Sequence, residues 1–259
     1  MYRYKFVILG LLVSILALTA CSKENQIGST AIPNTGAENA GLPTKISLLM
    51  NEQVTTLDGN SIGTVKDLVL GPQGLTQYVI VASDSKLLPI PWNAFAWNAE
   101  EKRLVFTESP DLLQDAPVIT DWSTFDPSIQ GWDDQVLGYW SAYVESVPES
   151  PVTVGQILPL TASSLVDQEV VLPTGDRIGS VNELLLRPKG GVPFLLLRTN
   201  GGFVPVPYNL FLLDAAQVRL VYTGSTEQLQ SAPKFSKLEE LDLGDTAWMQ
   251  EVTQYWQVQ

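Results

Sequence analysis

Histidine is absent from this chain, cysteine occurs once, as Cys21, and only 15 lysines and arginines stand against 28 aspartates and glutamates. The first absence removes histidine general bases and histidine metal ligands. A lone cysteine excludes an internal disulfide and any thiolate zinc cluster. The shortage of cations, with no Lys/Arg cluster to offset it, sets nucleic-acid binding aside, because an acidic surface repels the phosphate backbone. Residues 1–20 hold Arg3 and Lys5 and no carboxylate, so a chain beginning at Cys21 would move from a formal charge of −13 to −15. Adjacent carboxylates occur at Asp133-Asp134 and Glu239-Glu240, but neighbours on a helix point apart, and both pairs read as solvated faces. No cofactor or metal site is expected. Asp58-Gly59-Asn60 lacks the later oxygen ligands and closing glutamate of a calcium loop.

What is present is a duplication. Ile62-Gly63-x-Val65 returns as Ile178-Gly179-x-Val181, Pro89-x-Pro91 as Pro205-x-Pro207, and Ala116-Pro117 as Ala232-Pro233. Trp132, Tyr139 and Trp140 return in the same register as Trp248, Tyr255 and Trp256. Each repeat has roughly a hundred residues, enough for a core of its own, so two domains are expected. The organisation read from the sequence is a signal segment (1–20), a tether (21–43), repeat 1 with its helix (44–144), a proline-rich linker (145–159) and repeat 2 with its helix (160–259).

Within a repeat the periodicities are those of strands. Asp58-Gly59 and Thr174-Gly175-Asp176 mark hairpin turns, as does Asn200-Gly201-Gly202. Ile62, Val65, Leu68 and Leu70 recur at spacings of three, three and two. A helix would also give the threes, but the flanking glycines and β-branched residues favour a bulged strand bent at Gly63 and Gly179. Tyr78–Val81 and Phe194–Leu197 are apolar throughout, which predicts strands covered on both faces. The prolines of Pro89-x-Pro91 remove ladder donors from one edge, as at the seam of a partly open barrel. The aromatics after them, Trp92 and Tyr208, read as core plugs, and Leu104-Val105-Phe106 completes the sheet.

The order Asp-Gly, Ile-Gly-x-Val, Leu-x-Leu, an apolar strand, Pro-x-Pro-Trp-Asn and Leu-Val-Phe resembles the PRC-barrel family over about 48–118 and again over about 164–234. That family is named for the photosynthetic reaction-centre H subunit. The resemblance implies a mainly β protein: two tandem small, highly curved barrels used for protein contact and assembly, with no catalytic signature to carry over. After each barrel the chain adds a segment that the family pattern does not explain. Asp126-Pro127 reads as a helix start, with Ile129, Trp132, Val136, Tyr139, Trp140 and Tyr143 on one stripe, echoed by Trp248, Val252, Tyr255 and Trp256. Each repeat is therefore expected to end in an amphipathic, aromatic-faced helix. This helix either covers a barrel face or offers Trp132, Tyr139, Trp140, Trp248, Tyr255 and Trp256 to a protein partner. Insertion into a membrane surface is disfavoured by the lack of lysine and arginine beside the stripe.

At the other end, Arg3 and Lys5 precede an apolar run from Phe6 to Leu18 and then Leu18-Thr19-Ala20-Cys21. This resembles a bacterial lipoprotein signal peptide with its lipobox, the other reading being an uncleaved signal anchor. About thirteen apolar residues are short for a bilayer span. The resemblance implies lipid transfer to the Cys21 sulfur, cleavage before it and acylation of the new amine. Membrane attachment through Cys21 follows, on the outer face of the cytoplasmic membrane, or on an outer membrane if the cell has one, as Ser22 after the cysteine would direct. The functional expectation is a non-enzymatic, lipid-anchored envelope protein that contacts a protein partner. A small-molecule accessory of quinone or pigment type is the alternative.

Overall fold

The structure is a computed structural model and describes residues 44–143, 160–214 and 219–257. The signal segment, Cys21, the tether and the linker lie outside these residues. Among the described residues, no helix is long and apolar enough to cross a membrane.

Repeat 1 comprises β1 (Thr44–Lys45), β2 (Gln53–Thr56), β3 (Ser61–Leu70), β4 (Thr76–Ser83), β5 (Lys86–Pro91), β6 (Phe95–Asn98), β7 (Arg103–Phe106) and α1 (Asp134–Trp140). Repeat 2 comprises β8 (Leu160–Thr161), α2 (Ala162–Leu165), β9 (Glu169–Val171), β10 (Arg177–Leu186), β11 (Phe194–Thr199), β12 (Gly202–Pro207), β13 (Phe211–Asp214), β14 (Arg219–Tyr222), α3 (Thr226–Ser231) and α4 (Thr246–Trp256). The protein is mainly β, built on two seven-stranded mixed sheets. One has the order β5-β4-β3-β2-β7-β6 and the other β12-β11-β10-β9-β14-β13. Only the β2–β7 and β9–β14 ladders in these paths are parallel.

The bulged-strand reading holds. The register of β3 on β4 shifts between Val65 and Asp67, and that of β10 on β11 between Val181 and Glu183. Gly63, with φ +143, lies so close to β4 that a Cβ would collide with the Ala82 carbonyl oxygen. Tyr78–Val81 and Phe194–Leu197 are buried throughout, as strands inside their sheets must be. Neither sheet closes into a barrel. Each pairing path ends at β5 and β6, or at β12 and β13, and no ladder among the described residues joins those ends. Pro89 and Pro91, and Pro205 and Pro207, have no N–H to donate to a further strand.

Two further features lie beyond what the sequence pattern shows. One buried cluster runs through both repeats, from Ile46 to Trp256. The seventh strand of each sheet comes from the other repeat, β1 pairing with Leu185–Leu186 of β10 and β8 with Val69–Leu70 of β3. The aromatic helix of repeat 1 is also shorter than its stripe. The Asp126 carboxylate accepts from the Ser128 amide at 2.9 Å and its hydroxyl at 2.7 Å, closing a local turn, and Gly131 sits at φ +81. Helical backbone therefore begins only at Asp134, and Ile129 and Tyr143 fall outside it, exposed. In repeat 2, α4 is capped by Asp245, which accepts from the Ala247 amide, and carries the stripe complete.

Candidate functional site

The junction between the repeats is assembled from residues that sequence reasoning passed over. The bulge that follows Val65 turns Asp67 inward, to 1% exposure, and the matching bulge turns Glu183 inward, to 4%. Each carboxylate reaches a serine on the exchanged arm of the other repeat. Asp67 accepts from the Ser163 amide at 3.1 Å, from the Ser163 hydroxyl and from the Leu68 amide at 2.8 Å. Glu183 accepts from the Ser47 amide at 3.3 Å, from the Ser47 hydroxyl and from the Leu184 amide at 2.9 Å. Residue i of one repeat meets j of the other and j meets i, which is the pattern of a twofold interface within one chain.

The same reciprocity holds the centre. The Thr76 amide donates to the Gly190 carbonyl at 2.8 Å, and the Val192 amide to the Gly74 carbonyl at 2.7 Å. Trp92 and Tyr208, read as core plugs, are plugs of this junction. A Cβ on Gly190 would stand 2.6 Å from the Trp92 indole nitrogen, and one on Gly74 would stand 2.9 Å from the Tyr208 ring. Both glycines have positive φ, so the turn and the close approach each require them. Burial pushes the Tyr208 hydroxyl upward, and it has no hydrogen-bond partner among the described residues.

Burial also raises the pKa of Asp67 above 3.8, the serine and backbone bonds pulling the other way. A proton is then held longer by the folded chain than by the unfolded one. Stability carried by this group is complete below the unfolded value, and it is lost as pH rises through the higher folded value. Denaturation curves from pH 4 upward are expected to show a decline with rising pH that is smaller in Asp67→Asn, which keeps an acceptor for Ser163 but cannot ionise. Identical pH slopes in the two proteins would refute this.

The six aromatic residues singled out in the sequence are spent largely inside the chain. Trp140, Trp248 and Trp256 are buried, while Trp132, Tyr139 and Tyr255 are half-buried. Helix α1 packs on β5 and α4 on β12, over the proline-bearing edges. The Trp256 indole donates to the Pro205 carbonyl at 2.8 Å, and that of Trp248 to the Asp242 carbonyl at 2.6 Å. Tyr139 donates to the Leu112 carbonyl and Tyr255 to the equivalent carbonyl of Gln228. Trp132 meets Tyr78 edge-on at 5.2 Å, and the Tyr78 hydroxyl donates to Asp133 at 2.8 Å. Asp133 is therefore half-buried against β4 rather than solvated; Asp134, Glu239 and Glu240 are exposed as expected. Cys21 lies outside the described residues.

Asp67 and Glu183 could have been found in the sequence. An acid recurs at the same register position inside the two matched strands, directly before an apolar run, and a serine recurs at the same offset ahead of both. Neither motif carries a recognisable chemistry by itself, and only the exchange of arms brings acid and serine together.

No curated protein is matched by the chain. A family model described as PRC-barrel domain matches residues 45–113 and 160–224, one stretch in each repeat and together just over half of the chain. Both stretches begin at the exchanged arms and end before the aromatic helices. The chain belongs to the PRC-barrel domain family, in two tandem copies.

Proposed function

We propose that this protein is a non-enzymatic assembly module held at a membrane by lipid on Cys21, presenting its two PRC-barrel repeats as one body to a protein partner. The observation that carries the reading is Leu18-Thr19-Ala20-Cys21, the only cysteine of the chain, placed directly after a short apolar run with Arg3 and Lys5 ahead of it. Acyl chains contribute about 0.8 kcal/mol per buried CH₂, so two or more hold a protein on a bilayer almost irreversibly. The reciprocal junction supports a protein-contact role: it fixes the orientation of the two repeats, which a scaffold needs and a flexible pair would lack.

Metabolic labelling with palmitate, followed by fractionation and mass spectrometry, tests the anchor. The native chain is expected to carry label, to resist extraction by high salt and to lack residues 1–20. Cys21→Ala is expected to lose the label and to keep residues 1–20. A native chain without acyl label overturns the anchor. Crosslinking of the full chain in native membranes tests the assembly role, which requires a protein partner recovered in constant stoichiometry.

A further inference from the structure

Repeat 2 carries a cleft. It has a volume of about 410 Å³ and lies where β10 and β11 meet, lined by Arg177, Ile178, Gly179, Ser180, Arg198 and the turn residues Thr199 and Asn200. We propose that this cleft binds a small oxyanion, a phosphate group either free or on a lipid headgroup. This proposal is independent of the anchor and assembly reading.

The chain has few cations to spend, yet two arginines converge here on a strongly acidic protein. Both are held in place without being used up. The Arg177 Nε meets Glu169 at 3.2 Å, and the Arg198 Nη2 meets Asp167 at 3.2 Å. These side chains are 66% and 54% exposed. A guanidinium has five N–H donors in a planar fork, so a single carboxylate contact orients it and leaves other donors for a bidentate oxyanion. Asp167 and Glu169 also stand against an anion, which sets a modest affinity and a strong dependence on ionic strength.

Polar groups complete the lining. Ser180 is buried in the wall of the cleft. Thr199 accepts from the Gly201 amide at 3.2 Å and donates to the Gly202 carbonyl at 2.9 Å, which fixes the turn at the rim. Lys234 lies beside that turn, its ammonium 3.8 Å from where a Cβ on Gly201 would stand. In repeat 1 the positions matching Arg177 and Arg198 are Ser61 and Ala82, so the fold does not require the two arginines. They mark a difference between otherwise equivalent halves.

The test is a titration of the full chain in detergent with inorganic phosphate at low ionic strength, followed by the ³¹P linewidth. Saturable binding is expected, weakened about tenfold by Arg177→Gln or Arg198→Gln, as the loss of one charge-assisted bond implies. Arg103→Gln, which breaks the Arg103–Glu101 pair of repeat 1, is the control and should leave binding unchanged. Repeating the titration in nanodiscs of phosphatidylcholine, with and without phosphatidylglycerol, separates the sources. A headgroup occupant competes with phosphate only when the anionic lipid is present, and a site for free phosphate is indifferent to it. Absence of saturable binding, or equal binding by all three variants and the native chain, overturns the proposal.

Discussion

Gly63→Ala is expected to destabilise the chain by about 4 kcal/mol, through two costs that act together. The residue sits at φ +143, a conformation that costs a side-chain-bearing residue about 1–3 kcal/mol. Its new methyl would also meet the Ala82 carbonyl oxygen and stand 2.9 Å from a Val81 methyl, and neither can move without opening the β3–β4 ladder. Gly59→Ala separates these costs. That glycine has φ +79 with open space around it, so only backbone strain of about 1–2 kcal/mol applies. Urea denaturation of the two variants reads the difference directly, and near-equal costs would mean that β4 yields to the methyl. Because one buried cluster runs through both repeats, the loss at Gly63 is also expected to lower a single transition rather than expose a separate melting of repeat 1.

The local chemistry of the strands was legible in the sequence because it rests on nearest neighbours. Asp58-Gly59 closes the β2–β3 turn, with the Thr56 amide donating to the Asn60 carbonyl at 2.8 Å. Spacings of three in Ile62, Val65 and Leu68 reported the bulges, since two residues opposite one displace the inward face by one position. The arms were not legible. Thr44-Lys45 and Leu160-Thr161 are two residues each, with no period to read, and their partners lie far away in sequence on the opposite repeat. Without the arms, Asp67 and Glu183 looked like unremarkable acids within strands.

The added segments show the opposite failure, where a real pattern was extended too far. The aromatic spacing from Ile129 to Tyr143 fits one helical stripe, but spacing carries no information about the Asp126 turn or about Gly131, which interrupt the backbone. In repeat 2 the Asp245 cap stands directly before the stripe, and there the helix forms as read. The stripe covers the same edge in both halves. A proline-bearing edge strand has lost donors but keeps carbonyls; the helix laid across it supplies an indole donor with its apolar cover in repeat 2, and apolar cover without that donor in repeat 1.

That arrangement makes Trp256 the residue of α4 whose truncation should cost most. Trp256→Ala empties a buried indole site and is expected to cost about 3–5 kcal/mol. Trp140→Ala belongs in the same range, its ring packed edge-on to Phe106 at 6.2 Å and to Tyr139 at 5.3 Å. Phenylalanine at each position distinguishes the two sites. Trp256→Phe keeps most of the ring but removes the donor to the Pro205 carbonyl, leaving a buried acceptor that costs about 1–3 kcal/mol. The Trp140 indole nitrogen is buried with no partner among the described residues, so Trp140→Phe removes a desolvated donor that gained nothing on folding. Denaturation of the two phenylalanine variants is expected to rank Trp256→Phe as the more costly by about 1 kcal/mol. Equal costs would show that the Trp140 indole has a partner after all, and with it that the two edges are covered by the same bond.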